Sequence, residues 1–400
     1  MCTESELRGL RERIINDKYN GLVFSAGRCL PLYLVGGYIR DLLIGRDSRD
    51  RDYVAGGDID SLLEHIVAET GGKLVRLGNN LRRIVLADNS TLDFSPLTSD
   101  IDNDLSHRDF TINSLAWSPD TGLLDFHGGV QHIRQKRIST ISRDSIVHDP
   151  VRMIRAYRFA GELSFRIDRP TRQITTELSE SIIETKSERI TLELFKILNL
   201  KAPSKILAEM ANDGILRHLF LCDNKVLHYK LRVLSRLNKI LNELPLKYID
   251  KLPSIYSQNL SWEGMLRLEV LMSGLHASAL SLSSKIIGRL ADIEKGQRLL
   301  LRRRPSRANL FEAFRLMGDA SIDYLIVKGR TTLLCDYENF RNIIKNSLLA
   351  TEEIVALSGI AEGVNLGELI LRLKRAEFCH RIRTYSEAVS LLRKYSFDRI

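Results

Sequence analysis

A chain of 400 residues is about two and a half times an ordinary domain of roughly 150 residues, which predicts two or three domains, each able to bury a core without disulfide staples or metal clips. With 59 Lys+Arg against 50 Asp+Glu the formal net charge is +9, and 44% hydrophobic with 27% charged residues is globular composition; long disorder is excluded and a polyanionic partner is favoured. No run of 18 apolar residues occurs, and the opening MCTESELRGLRERII carries acids and no apolar stretch, so the chain reads as a soluble protein with no secretory leader and no membrane partner.

In chain order, the periodicity changes once, at about residue 146. Before it, β-rich runs at 32–37, 51–55, 73–77, 82–87, 90–96, 112–118 and 123–126 predict the strands of one mixed sheet. Helices are expected at 38–44 and 58–70. Hairpin turns are expected at Asp88-Asn89 and at Pro119 to Gly122, where the residues tolerate turn geometry. Beyond Asp149, apolar residues recur at intervals of three and four over 150–164, 171–183, 188–200, 203–213, 225–243, 262–273, 308–317, 350–358 and 366–377, which predicts a helical array. Gly and Pro are sparse there, so the connections should be short, with 245–260 and 299–307 as boundary candidates. The fold class is α+β, a small mixed sheet followed by an all-α remainder.

Three clusters in the first part carry chemistry. Gly36-Gly37-Tyr38-Ile39-Arg40-Asp41 joins an apolar strand to a helix. Two glycines let a phosphate approach the backbone, the helix start offers free N–H groups, and Arg40 adds a guanidinium, so a triphosphate fits; a plain tight turn fits as well. Asp50-Arg51-Asp52 opens the next strand, where a period of two sets both carboxylates on one face. Such a pair persists when a hard divalent cation such as Mg2+ holds it together with phosphate oxygens, although a solvated strand end has the same pattern. Asp93 lies between Leu92 and Phe94 and points away from them, so it is able to join the pair from a neighbouring strand. Three acids around a metal orient a terminal hydroxyl for in-line attack on an α-phosphate.

With these acids in this order, LVGGYIRDLLIGRDSRDRDYV resembles the opening of the class II tRNA nucleotidyltransferase and poly(A) polymerase family. The resemblance continues through STLDFSPL, the place of the family's third acid, and SHRDFTINSLA, which is similar to its ribose-recognition stretch and puts Arg108, Asp109 and Asn113 at the matching positions. LLDFHGGVQHIRQKRI looks like the family's flexible segment, HDPVRMIRAYRFAGELSFRID like its base-selecting helix, and KSERITLELFKIL like its neck. By that resemblance Asp149 and Arg152 form an amino-acid template for the incoming base: a carboxylate accepts from the exocyclic amine of cytosine or adenine, and a guanidinium donates to ring acceptors. Arg155 and Arg158 extend the same basic stripe at intervals of three, with Met153, Ile154 and Tyr157 on the packing side.

The domains implied are a nucleotidyltransferase head over 1–145, a helical neck over 146–212, and a body and tail over 213–400 that bind RNA. The activity implied is template-independent addition of CMP, AMP or both to a tRNA 3′ end, with CTP and ATP as substrates, Mg2+ as cofactor and the cytoplasm as location. In it Asp50 and Asp52 hold the metal, Asp93 orients or activates the 3′-hydroxyl, Gly36, Gly37 and Arg40 hold the triphosphate, and Arg108 and Asp109 check the ribose.

The sequence departs from the family at His148, where an acid often stands, at His107, in place of the first arginine of the ribose stretch, and at Thr98. In the family it resembles, members that add the terminal A tend to carry a longer flexible loop between the third acid and the ribose stretch, so by that resemblance the short connection from Phe94 to His107 leans toward a CC-adding enzyme. A poly(A) polymerase is the nearest rival; a metal-dependent sugar-nucleotide glycosyltransferase leaves the arginine-rich helix unexplained, and a non-catalytic RNA-binding scaffold leaves the three acids unexplained. Cys2, Cys29, Cys222, Cys335 and Cys379 are far apart with no CxxC pair, which argues against a disulfide framework or a zinc ribbon. His218, His228, His276 and His380 are scattered and read as ordinary packing or surface residues. Arg298, Arg302, Arg303, Arg304 and Arg307, with no acid between them, suit either an RNA backbone or a solvated charge run.

Overall fold

Alternating buried and exposed side chains build the head around one sheet. In the computed structural model the described residues are 3–78, 81–275, 277–360 and 363–397; Cys2 and His276 lie outside them. Helices α1 (Glu4–Ile15) and α2 (Lys18–Ala26) lead into β1 (Leu32–Val35), α3 (Gly37–Leu43), β2 (Asp50–Ala55), α4 (Ile59–Thr70), β3 (Lys73–Leu77), β4 (Leu81–Val85) and β5 (Thr91–Pro96). There follow α5 (Ile101–Ser106), β6 (Ala116–Ser118), β7 (Gly122–Leu124) and α6 (Gly129–Arg134). The seven strands form one mixed sheet in the order β3-β4-β5-β2-β1-β6-β7, with β2 and β5 parallel and every other pair antiparallel. Both expected hairpins are present, β4–β5 and β6–β7.

The parallel pair positions the acids. On the rear face of the sheet Tyr53 of β2 stacks on Phe94 of β5, ring centroids 4.8 Å apart, and Phe24 of α2 meets Trp117 edge-on at 5.2 Å. Each such fully buried aromatic contributes about 1.5–3 kcal/mol of burial free energy. A one-residue slip would carry the acids into that core, so the packing fixes the register. The junction from β1 into α3 depends on Gly36: its φ of 78° is strained for an L side chain, and a Cβ there would stand 3.0 Å from the Arg108 guanidinium.

The neck helices are α7 (Arg143–His148), α8 (Val151–Leu163), α9 (Arg169–Glu177), α10 (Ser187–Leu198), α11 (Ser204–Asn212) and α12 (Ile215–Phe220). α8 packs on α10 and α11 through Met153, Ile154, Ala156 and Tyr157, all inaccessible to solvent. Two short parallel strands, β8 (Arg137–Ile138) and β9 (Arg166–Ile167), join the end of the head to the neck. The chain divides into two compact units, Met1–Leu227 with Ala277–Leu280, and His228–His276 with Ser281–Ile400; head and neck therefore share the first.

The second unit is formed by α13 (Asn224–Asn242, in which the division falls), α14 (Leu246–Ile249), a hairpin of β10 (Ile255–Ser257) and β11 (Leu260–Ser261), α15 (Trp262–Met272), α16 (Ser284–Gln297), α17 (Arg307–Met317), α18 (Ala320–Val327), α19 (Leu334–Lys345), α20 (Thr351–Ser358), α21 (Val364–Phe378) and α22 (Tyr385–Phe397). Phe311, Phe314, Tyr337, Phe340 and Phe378 make one aromatic core, and Ile354, Leu366, Leu373 and Leu392 centre another. Among the described residues no helix is long and apolar enough to cross a membrane.

Several expectations need correction. Residues 112–118 are strand only over Ala116–Ser118; Thr111–Asn113 form a 3-10 turn, because the Asp109 carboxylate accepts from the Phe110 N–H and the Asn113 amide and so competes with a ladder. The helix expected over 171–183 stops at Glu177 and gives way to a 3-10 segment, Ser179–Glu184. The stretches 245–260 and 299–307 both lie inside the second unit. The first of them holds α14 and most of a hairpin whose turn has Gln258 and Asn259 at positive φ. Arg307 is not a free cation: its guanidinium lies over the Phe378 ring, donates to the Phe378 carbonyl and pairs with Asp336.

Candidate active site

The front of β2 and β5, the start of α3, the ribose-type stretch and α8 enclose a cleft of about 600 Å3. Every residue singled out from the sequence lines it except Asp93.

The acids stand as the strand period requires. Asp52 and Asp93 are direct partners across the parallel β2–β5 ladder, and Asp50 accepts a 3.0 Å hydrogen bond from the Thr91 hydroxyl. Arg51, between the two acids of β2, turns to the rear. It donates to both oxygens of Asp17 at 3.0 and 2.6 Å and lies over the Tyr19 and Tyr38 rings. Burial pushes the Asp52 carboxyl up to about 6; the Asp93 charge adds to this, Arg108 opposes it, and Asp50 raises it further. Asp93 is already engaged: Arg83, opposite it on β4, donates through Nε and Nη2 at 2.7 and 2.6 Å. Among the described residues no three His, Cys, Asp or Glu side chains converge as a metal-binding group. Two carboxylates facing an open cleft nevertheless suit a hard divalent cation that takes its remaining ligands from phosphate and water.

Beside the acids, Arg40 is buried on the cleft floor and lies over the Phe159 ring at 5.1 Å. Three of its five donors are already used, by Asp41 at 2.9 and 2.8 Å and by the Asn113 carbonyl oxygen at 2.6 Å. Asn113 in turn donates to Asp109 at 2.9 Å, so it links the glycine-rich junction to the ribose-type stretch. Burial disfavours the charge of Asp109, but Arg155 beside it and the Asn113 and Phe110 donors outweigh burial and hold the carboxyl below its ordinary value. Arg108 is fixed by Asp104 at 2.9 Å.

The arginine stripe of α8 splits into three separate tasks. Arg152 donates to the carbonyls of Arg108 and His107 at 2.9 and 2.8 Å and to the Ser145 hydroxyl at 2.5 Å, with Nε 3.6 Å from Asp149. Arg155 donates twice to Asp109, at 2.9 and 2.6 Å. Arg158 is buried and committed to Glu193 and Glu162, at 2.5 and 2.6 Å, with its guanidinium 3.9 Å from the Phe159 ring centroid. Asp149 and Arg152 thus meet, as the sequence suggested, but Asp149 also receives both Nη groups of Arg189, at 2.9 and 2.8 Å.

Sequence reasoning missed Arg83, Glu193 and Arg189. Arg83 was one position out of its reach: a two-residue turn at Asp88-Asn89 would set Ile84 opposite Asp93, whereas the observed loop is three residues, 87–89, and sets Arg83 there. Arg189 lay inside a segment recognised as neck-like, but nothing local ties it to a carboxylate forty positions earlier.

Two family models match the chain: the poly A polymerase head domain over residues 83–139, and a probable RNA and SrmB binding site of polymerase A over 164–223. The chain is 28% identical over 392 residues to a CC-adding tRNA nucleotidyltransferase of Geobacter sulfurreducens, covering 90% of this chain and 91% of that protein. It is 34% identical over 209 residues to a multifunctional CCA protein of Haemophilus influenzae, covering 48% of this chain and half of that protein's length. In fold it is similar to the Thermotoga maritima CCA-adding enzyme solved with tRNA, with a TM-score of 0.77, 24% identity, and 97% and 98% of the two chains covered.

Proposed function

Because the chain belongs to the class II tRNA nucleotidyltransferase and poly(A) polymerase family, we propose that it adds two CMP residues to the 3′ end of tRNA, using CTP and Mg2+. The observation that carries the nucleotidyl transfer is the pair Asp50 and Asp52 on β2, which open on a cleft lined by arginines and have Asp93 of β5 directly beside Asp52. The choice of CC is supported by the short Phe94–His107 connection and by likeness to a CC-adding protein over nine-tenths of the chain.

Asp50 and Asp52 would hold Mg2+, which when bound neutralises charge developing on the transferring phosphate and the departing pyrophosphate. Asp93 orients the RNA 3′-hydroxyl, and Arg83 fixes the rotamer of Asp93 and keeps its charge from adding fully to that of Asp52. The Gly36-Gly37 turn lets the triphosphate approach the backbone, while Arg40, anchored by Asp41 and Asn113, holds it through its charge and the N–H donors those partners leave open. Arg108 and Asp109 read the ribose. Asp149 and Arg152 read the Watson–Crick edge of cytosine, with Arg189 setting the angle of the Asp149 carboxylate. Arg155 and Arg158 act from behind, holding Asp109 and the α8–α10 pair in place. The helical body and tail grip the RNA by phosphate contacts and shape. The same reading puts the protein in the cytoplasm.

The test offers Mg2+ and each nucleoside triphosphate, singly and paired, with three RNAs: tRNA lacking CCA, tRNA ending in C-C, and an unstructured RNA. Two additions with CTP alone, and no third when ATP is present, is the expected result. A third addition with ATP makes it a full CCA enzyme. One A on the C-C end makes it an A-adding enzyme, and long A tails on every RNA favour the poly(A) reading suggested by the name of the matching head model.

A further inference from the structure

Away from the cleft of the first unit, the second unit holds a smaller cavity of about 220 Å3 between α15 and α16. Its walls are mainly apolar, formed by Met272, Leu275, Leu282, Leu290 and Ile293, with Ile287 more than half exposed at the mouth. One wall carries Glu269 of α15, 4% exposed, whose Oε2 is buried without a hydrogen-bond partner. The only other buried acid in this unit, among the described residues, is Asp323, and it is fully served: Arg289 donates to it at 2.6 and 3.0 Å and the Trp262 indole at 2.8 Å. Glu269 has no such cation, although a buried polar group is almost always paired.

We propose that this cavity binds a small organic ammonium ion, an apolar chain of a few carbons bearing one primary amine, with the amine on the Glu269 carboxylate. Size, wall and charge each point to that class. The volume equals that of about seven liquid waters and is below the roughly 300–1,000 Å3 of clefts that take drug-sized ligands. The aliphatic part of the wall suits an apolar chain, and Ser273 and Gln297 are its neutral polar members. Glu294 and Lys328, both exposed, also line the cavity; the Lys328 charge acts on Glu269 without pairing with it, so the inner carboxyl still lacks a direct donor. An amine supplies donor and countercharge together, which a neutral alcohol does not. Burial, with Asp323 adding to it against Lys328 and Arg289, holds the free carboxyl well above its ordinary value, and an ammonium ion beside it offsets that cost by supplying the countercharge.

The test is isothermal titration of the full-length protein near neutral pH with hexylamine, hexanol and hexanoate. Hexylamine is expected to bind at least tenfold more tightly than hexanol, with no binding of hexanoate. Glu269→Gln, which keeps shape and removes the charge, should weaken hexylamine at least tenfold and leave hexanol unchanged. Leu290→Trp, filling the cavity from its half-buried wall, should abolish both. CMP addition measured alongside should be unchanged in both variants. Equal affinity for amine and alcohol, hexylamine binding that survives Glu269→Gln or Leu290→Trp, or no saturable binding to the wild-type protein would each overturn the assignment. None of these results bears on the nucleotidyl-transfer reading, which rests on the other unit.

Discussion

At Asp52, a carboxylate is held among like charges: Asp93 beside it in register and Asp50 two positions earlier, with Arg108 and, more weakly, Arg83 in opposition. No packing need explains so costly an arrangement, and a bound cation does. Replacing Asp52 by Ala should therefore lower nucleotide addition by roughly 10²–10³-fold or more, the scale of losing one preorganised electrostatic partner, while gel-shift affinity for tRNA stays within about twofold. Addition near the wild-type rate by the purified variant would remove the metal role. Arg152 calls for a different experiment. The base contact proposed for it should be worth about 1–3 kcal/mol of discrimination, so Arg152→Ala should lower the CTP:UTP preference roughly tenfold or more before RNA binding suffers. An unaltered preference would refute the template assignment. Asp50, Asp52 and Asp93 were legible in the sequence because a strand has one period and one face. The partners that set their charge were less so: the expected turn at Asp88-Asn89 misses Arg83 by one position because the loop is three residues long, and Arg189 reaches Asp149 only through the packing of α10 on α8, which no local pattern encodes.

Between elements, α8 and α10 are joined by Glu193, one of the more heavily loaded side chains of the neck. It is 7% exposed, accepts from Arg158 at 2.5 Å and Lys196 at 3.0 Å, and has Arg155 at 3.8 Å. Burial alone would raise its carboxyl, but Arg158, Lys196 and Arg155 outweigh burial and hold it below the ordinary glutamate value. A depressed folded-state value means that the unfolded chain binds the proton first, so this stability is complete above the unfolded value near 4.5 and is lost as pH falls through the folded one. Glu193→Gln should cost about 1.5–3 kcal/mol near pH 7, the scale of charge-assisted hydrogen bonds lost, since Arg158 keeps Glu162 and Arg155 keeps Asp109. In urea titrations the gap from wild type should narrow progressively below pH 4.5; a gap constant down to pH 3.5 would mean that the charge of Glu193 is not what holds the two helices. Elements with a clear apolar stripe, such as α8, α10 and α13, were visible in the sequence. α18 was not, because seven of its eight residues are buried and no polar face gives it a period. α9 was overrun at its C-terminal end because apolar spacing continues through Ser179–Glu184 while the backbone tightens to 3-10.

For the whole molecule, the excess of nine positive charges is useful to an RNA enzyme only where cations are uncommitted, and most arginines of the candidate active site are not. Arg40, Arg108, Arg155, Arg158 and Arg189 all pair with carboxylates of the protein, and Arg152 with backbone carbonyls. In the second unit the run before α17 is different: Arg302, Arg303 and Arg304 are exposed, and among the described residues no ion pair engages them, whereas Arg307 is tied to Asp336 and Phe378. Free cations that meet phosphates release counterions, and each contact contributes about 0.7–0.9 to the slope of log affinity against log salt. Changing all three to Ser should therefore reduce that slope for tRNA by roughly two to three, and weaken binding at low salt far more than at high salt. CTP affinity should be unaffected, because the nucleotide cleft lies in the first unit. A variant with the wild-type slope would mean that the three arginines only solvate the surface, and that the RNA grip of the second unit has to be sought on another face.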